Sequence, residues 1–208
     1  MRINALFPAP DRAGRYRVQL EDGSALRLYR QTVEDFGLYS GMELTDEEFS
    51  RLQKAAGEMS AKMRAVRIVS ASSVSKKDLQ RRLVQKGEDP QQAAAAVDWM
   101  AELDLIDDRK TAQQVVSRCI AKGYGLARAK QALYEKQIPK QYWEEALADY
   151  PAQLDVIEDY LTSHLDGEST PKDLRRAIDA LIRKGHGYGN IRRVLSSLSF
   201  DTDELPEG

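Results

Sequence analysis

A chain of 208 residues, 42% hydrophobic and 31% charged, has the make-up of a folded polypeptide holding one large or two small domains. No stretch approaches the roughly eighteen apolar residues of a membrane-spanning helix, and Met1-Arg2-Ile3-Asn4 opens no signal pattern, so insertion and export are not expected. The lone Cys119 excludes an internal disulfide and fits a reducing cytosol; beside Val115, Val116 and Ile120 it reads as a small core hydrophobe.

In chain order, the β pattern is confined to the first thirty residues. Tyr16, Val18 and Leu20 alternate, Glu21-Asp22-Gly23 intervenes, and Leu26 and Leu28 alternate again. A two-residue Asp-Gly loop would put the two apolar sets on opposite faces. A three-residue loop with Gly23 in the left-handed region sets Val18 opposite Leu26 and Tyr16 opposite Leu28, and this register is preferred. Ile3, Ala5 and Phe7 supply a third strand before Pro8, since a hairpin alone is marginal in water. A short helix is expected over Val33–Phe36, closed by Gly37. Thr45-Asp46-Glu47-Glu48 is a capping box opening a helix from 46 to about 70, along which Phe49, Leu52, Ala56, Met59 and Met63 recur at helical spacing.

From there a three-helix unit is written three times. Turns at Lys86-Gly87, Lys136-Gln137 and Lys184-Gly185 are each preceded by a pair four residues apart: Leu79/Leu83, Ala129/Leu133 and Ala177/Leu181. They are followed by the trios Ala93/Ala96/Val97, Trp143/Ala146/Leu147 and Ile191/Val194/Leu195. Such spacings put these residues on one helical face, and a period near fifty residues signals a repeat array. Caps are expected at Ser75, at Asp107-Asp108 and at Thr170-Pro171-Lys172-Asp173, with Pro90 opening another helix. The fold class is mainly α: three tandem three-helix repeats, elongated and curved, after a small N-terminal β region. The expected division is 1–45 for the β region with its short helix, 46–106 for the linking helix and repeat one, 107–150 and 151–199 for repeats two and three, and 200–208 for an acidic, mobile tail.

Charge is segregated along these blocks. Residues 72–140 carry thirteen Lys/Arg against nine acids; 141–169 carry eight acids and no Lys or Arg; 170–198 carry seven Lys/Arg against two acids. Basic blocks divided by an acidic one argue for a polyanion-facing surface beside a protein-facing one. Lys86, Lys136 and Lys184 stand one residue before each turn, where a helix C-terminus favours a cation whatever the function. Arg81, Arg82, Arg118, Lys122, Arg128, Lys130, Arg175, Arg176, Arg192 and Arg193 are the stronger candidates for an anionic partner, because many are mid-helix and the arginine fork matches phosphate and carboxylate. As Arg81/Arg82 and Arg175/Arg176 lie off the core positions Leu79/Leu83 and Ala177/Leu181, reversal of either pair to Glu is expected to weaken binding and leave helix content intact.

Catalytic and metal patterns are missing. His164 and His186 have no Cys or carboxylates at ligand spacing, and Gly185-His186-Gly187-Tyr188-Gly189 follows a helix, not a strand, so it reads as a C-cap and turn. Neither enzyme activity nor a cofactor or metal is expected.

Taken in order, several segments resemble the RecX family of small regulators of the RecA recombinase. They are the hairpin with Arg15-Tyr16; Phe36-Gly37-Leu38, Gly41 and Leu44; Ser75, Asp78-Leu79, Arg82-Leu83 and Lys86-Gly87; Leu103, Leu105-Ile106-Asp107-Asp108, Ala112 and Arg118; and Gly125, Leu133, Lys136 and Ile138. The sequence departs from that pattern where Ser72-Ser73-Val74 replaces a basic pair, where Gln137 stands for glycine, and where Ala132-Leu133 stands for Glu-Leu. The resemblance implies a monomeric cytoplasmic modulator in DNA repair, recombination and the SOS response. It would lie along the RecA–single-stranded DNA filament and hinder ATP hydrolysis, strand exchange and co-protease activity. The residues themselves leave open a helical DNA-binding regulator or an adaptor without nucleic acid.

Overall fold

The computed structural model describes residues 1–198; the acidic tail expected at 200–208 lies outside them. A small N-terminal sheet is followed by three successive helical triplets, and the chain divides into two compact units. The first holds Met1–Ser72 and Lys76–Ile106, the second Ser73–Ser75 and the described residues from Asp107.

In the first unit, β1 (Ile3–Leu6), β2 (Arg15–Leu20) and β3 (Ala25–Tyr29) form an antiparallel sheet in that order. Val18 faces Leu26 and Tyr16 faces Leu28, the register expected from a three-residue loop, and Gly23 sits at φ +82. The third strand is present and carries a register shift between Ile3 and Ala5. One face packs Ile3, Val18, Leu20 and Leu28 against Leu38, Leu44 and Leu52, so burial of that face, which a hairpin lacks alone, stabilises the sheet.

The short helix α1 (Arg30–Asp35) begins three residues before the expected start. The pairs Arg30–Glu34 (2.6 Å) and Gln31–Asp35 (2.7 Å), each four residues apart, hold its first turn. Phe36 caps it and Gly37 turns away at φ +56. The long helix α2 (Asp46–Ala71) opens on the expected capping box, in which Thr45 and Glu48 each satisfy the other's backbone amide.

With α2, helices α3 (Lys76–Gln85) and α4 (Pro90–Glu102) complete the first triplet. Leu79, Leu83, Ala93, Ala96, Val97 and Met100 are the buried apolar positions of α3 and α4, facing Ala61 and Ala65, which are buried on α2. The cap of α4 is Asp89, whose carboxylate accepts from the Gln91 and Gln92 amides at 2.9 and 3.1 Å.

The second unit holds the other two triplets. In one, α5 (Asp108–Ala121) and α6 (Leu126–Glu135) are followed by a 3-10 turn (Lys140–Tyr142) and the five-residue α7 (Trp143–Leu147). The expected trio Trp143/Ala146/Leu147 is only half-buried there, against Ala112, Val115, Val116, Leu133 and Ile138. Pro151 restrains Tyr150 just beyond this short helix. In the other, α8 (Leu154–His164), α9 (Pro171–Arg183) and α10 (Tyr188–Ser197) enclose Ile157, Leu161, Ala177, Ile178, Leu181, Ile191, Val194 and Leu195. Asp107 caps α5, and Thr170 with Asp173 forms a second capping box at α9, as expected.

Each triplet's middle helix ends in the same way. Gly87 (φ +89), Gln137 (φ +54) and Gly185 (φ +90) take the left-handed conformation in turn.

Within the second unit, two of these turns meet other backbone. The Gly125 amide donates to the Lys184 carbonyl (2.9 Å) and the Ala127 amide to the Gly185 carbonyl (3.2 Å). The Ser75 hydroxyl donates to the Lys136 carbonyl (2.6 Å). Around the Gly123-Tyr124-Gly125 loop, His186 Nε2 donates to the Gly123 carbonyl (3.0 Å), Tyr150 to the Tyr124 carbonyl (2.5 Å) and the Gln153 amide to the Ile120 carbonyl (2.9 Å). Burial pushes the Tyr150 hydroxyl up to about 12, so it remains a donor at every pH the fold withstands.

Candidate partner-binding surfaces

The candidate cations fall into two groups. In the first unit, Asp78 is buried with its side chain 1% exposed. It pairs with both Arg81 and Arg82, the latter at 2.9 Å. Reversing either arginine would set a carboxylate beside a buried carboxylate that keeps one arginine partner, so a loss of stability is expected together with any loss of binding. Lys136 and Lys184 are likewise engaged. The Lys136 ammonium donates to the Ser73 carbonyl at 3.4 Å, and the Lys184 ammonium lies 4.2 Å from the centre of the Tyr160 ring.

The second group is outward-facing. On α9 the buried side is Ala177, Ile178 and Leu181, which leaves Arg175 and Arg176 exposed; on α10 it is Ile191, Val194 and Leu195, which leaves Arg192 and Arg193 exposed. Arg176 has only a loose contact with Asp173 at 3.5 Å. Among the described residues no carboxylate pairs with Arg175, Arg192, Arg193, Lys122 or Lys130. Arg118 reaches the Ser73 hydroxyl at 3.3 Å and Arg128 the Glu135 carboxylate at 3.3 Å. Apart from Lys86, the outward cations therefore lie on α5, α6, α9 and α10.

The sequence reading missed a cleft in the first unit. About 460 Å³ in volume, it is lined by Arg15, Tyr29, Arg64, Arg67, Ile68, Ala71, Ser72, Arg82 and Lys86. Arg15 is forked onto Asp11 at 2.8 and 3.0 Å, and the Arg15 amide and guanidinium hold that carboxyl down at about 2. Arg64 binds buried Glu88 at 2.7 Å and the Lys86 carbonyl at 2.8 Å, while Ser60 donates to the same carboxylate at 3.0 Å. Arg67 donates to the Tyr29 hydroxyl and to the Met63 carbonyl. The signal that could have found the cleft is the spacing of Arg64 and Arg67 on α2, set beside Arg15 at the open end of the hairpin.

Redox and metal chemistry find no support in the side chains present. Cys119 is buried, and desolvation raises its thiol pKa, which disfavours the reactive thiolate. Among the described residues no three His, Cys, Asp or Glu gather as a metal site, and no helix is long and apolar enough to cross a membrane.

With the helices placed, residues 107–147, the α5–α7 triplet, match the family model for the second three-helix domain of RecX. Along the chain, the regulatory protein RecX of Streptococcus gordonii is 26% identical over 193 residues, covering 91% of this chain and 75% of the relative. That of Clostridioides difficile is 25% identical over 92% of this chain and 93% of its own length, and that of Xanthomonas citri 29% identical over 71% and 91%. The chain is similar to RecX proteins over most of its length. A crystal structure of regulatory protein RecX shares the fold with a TM-score of 0.65 at 17% identity, covering 94% of this chain and all of the other. RecX from Lactobacillus salivarius gives 0.59 at 20% identity over 69% of this chain and 97% of its own. The curated relatives are named as regulatory proteins.

Proposed function

We propose that this chain is a non-enzymatic regulator that binds the RecA–single-stranded DNA filament and lowers its ATP hydrolysis, strand exchange and co-protease activity. It acts as a cytoplasmic monomer. The observation that carries the reading is the set of outward arginines on α9 and α10, Arg175, Arg176, Arg192 and Arg193, in a chain aligned with RecX relatives over most of its length. Exposed guanidiniums, of which Arg175, Arg192 and Arg193 have no carboxylate partner among the described residues, suit filament phosphates or acidic protein surface. The acidic segment 141–169 offers a different, protein-facing chemistry.

Titrating the protein into RecA on single-stranded DNA while following ATP hydrolysis tests this directly. Hydrolysis falls with added protein, and the Arg175→Glu/Arg176→Glu variant requires about tenfold more protein at low salt, a difference that narrows as salt screens the interaction. Hydrolysis unchanged at saturating protein overturns the reading. It leaves a helical DNA-binding regulator if the protein still binds DNA, and an adaptor if it does not.

A further inference from the structure

We propose that the cleft between the hairpin end, α2 and α3 is a seat for one phosphodiester of a single nucleic-acid strand, an inference that rests on the RecA–DNA reading above and locates one nucleic-acid contact within the first unit.

Five cations and no carboxylate line the cleft. The acids lie behind it: Asp11 holds Arg15, Glu88 holds Arg64 and Asp78 holds Arg82. Asp11 and Glu88 each neutralise one guanidinium, Asp78 is divided between Arg82 and Arg81, and all three fix the direction of a fork, so little side-chain freedom is lost when a ligand arrives. Arg67 is steadied by the Tyr29 hydroxyl and the Met63 carbonyl without a carboxylate, and no carboxylate pairs with Lys86 among the described residues.

Charge counting narrows the ligand. Arg67 and Lys86 are the surplus, and the cleft also meets the C-terminal ends of α2 and α3, each worth roughly half a negative charge. With Asp78 shared between Arg82 and Arg81, about one to two positive charges remain, enough to hold a monoanionic phosphodiester. The donors arrive from three separate elements, so together they can reach both non-bridging oxygens of a phosphodiester. A volume of about 460 Å³ also exceeds what a carboxylate fills and admits the attached sugar. A single strand, with its flexible backbone, can curve to place one phosphate in such a cleft.

The test is fluorescence anisotropy of a short labelled oligothymidylate with the full chain, without RecA, at a series of salt concentrations. Arg67→Ala/Lys86→Ala should bind about tenfold more weakly at low salt, and its log–log salt slope should be shallower by about 0.7 for each phosphate that is no longer neutralised. Lys86→Ala alone should move both readings the same way, and it decides the matter if the double variant loses helical circular dichroism. Unchanged affinity and slope in folded variants overturn the proposal and leave these cations as complements to helix ends. Displacement of the oligonucleotide by oligoglutamate at equal charge overturns it in favour of an acidic peptide. No binding by the parent at low salt also overturns it. RecA ATP hydrolysis is followed separately: a parent that regulates hydrolysis beside cleft variants that bind oligonucleotide normally sinks the cleft alone, whereas a parent without effect on hydrolysis sinks the regulatory reading alone.

Discussion

Gln137 occupies the left-handed position that Gly87 and Gly185 occupy in the other triplets, and its Oε1 is buried without a hydrogen-bond partner. A side chain at such a φ costs about 1–2 kcal/mol, partly offset because glycine loses more freedom on folding. Gln137→Gly should therefore stabilise the protein by about 1 kcal/mol in denaturant melts. Gly87→Ala should destabilise it by a similar amount, since a Cβ there meets no atom within 4 Å and only the φ is penalised. Equal midpoints for all three proteins would dismiss the strain. His186 makes a second single-residue case. Burial lowers its imidazole pKa from the ordinary 6.5; the hydrogen bond to Gly123 opposes this and nearby Lys184 adds to it. The fold thus holds the neutral ring, and its contribution is complete above about 6.5 and shrinks as pH falls below that, where the unfolded chain takes the proton first. Melts at pH 7.5 and 5.5 should show a larger loss for the parent than for His186→Gln, and parallel losses would count against it. Gln137 is legible in the sequence as a turn residue standing where the other repeats carry glycine, but its buried Oε1 is not, and only the carbonyl of Gly123 tells which nitrogen of His186 carries the hydrogen.

At the scale of elements, legibility follows period. The hairpin register could be read because one face must be apolar and loop length decides which residues oppose each other, and Val18 does face Leu26. Caps at Thr45, Asp107 and Thr170 were readable because side chains make them. The Trp143/Ala146/Leu147 trio carries helical spacing, yet the helix is a single turn entered through a 3-10 turn, since spacing fixes a face and not a length. Pairings made by backbone alone escaped altogether. A Cβ on Gly125 would stand 2.0 Å from the Gly185 carbonyl oxygen, so α6 could not begin where it does and the Gly125–Lys184 hydrogen bond would go with it. Gly125→Ala should cost about 3 kcal/mol, near the upper end for point changes. Hydrogen exchange should show weaker protection in α6, α9 and α10; protection equal to the parent's would mean the turn gives way cheaply.

For the whole molecule, three triplets and a small sheet were visible in the spacing of apolar residues, and the charge blocks were visible by counting. The cleft was not, because residues 15, 64, 67, 82 and 86 become neighbours only through the fold. Nor was the burial of Asp78, which turns Arg81 and Arg82 from free surface into partners of the core. The meeting of Gly125 with Gly185 has a consequence for how such chains diverge. A Cβ on Gly185 would in turn lie 2.3 Å from the Arg128 amide nitrogen. Neither glycine can be altered and then rescued by a change in the other, as a large and a small side chain in a core can be exchanged. The junction leaves no trace of paired substitution among descendants: a lineage keeps both glycines or abandons it.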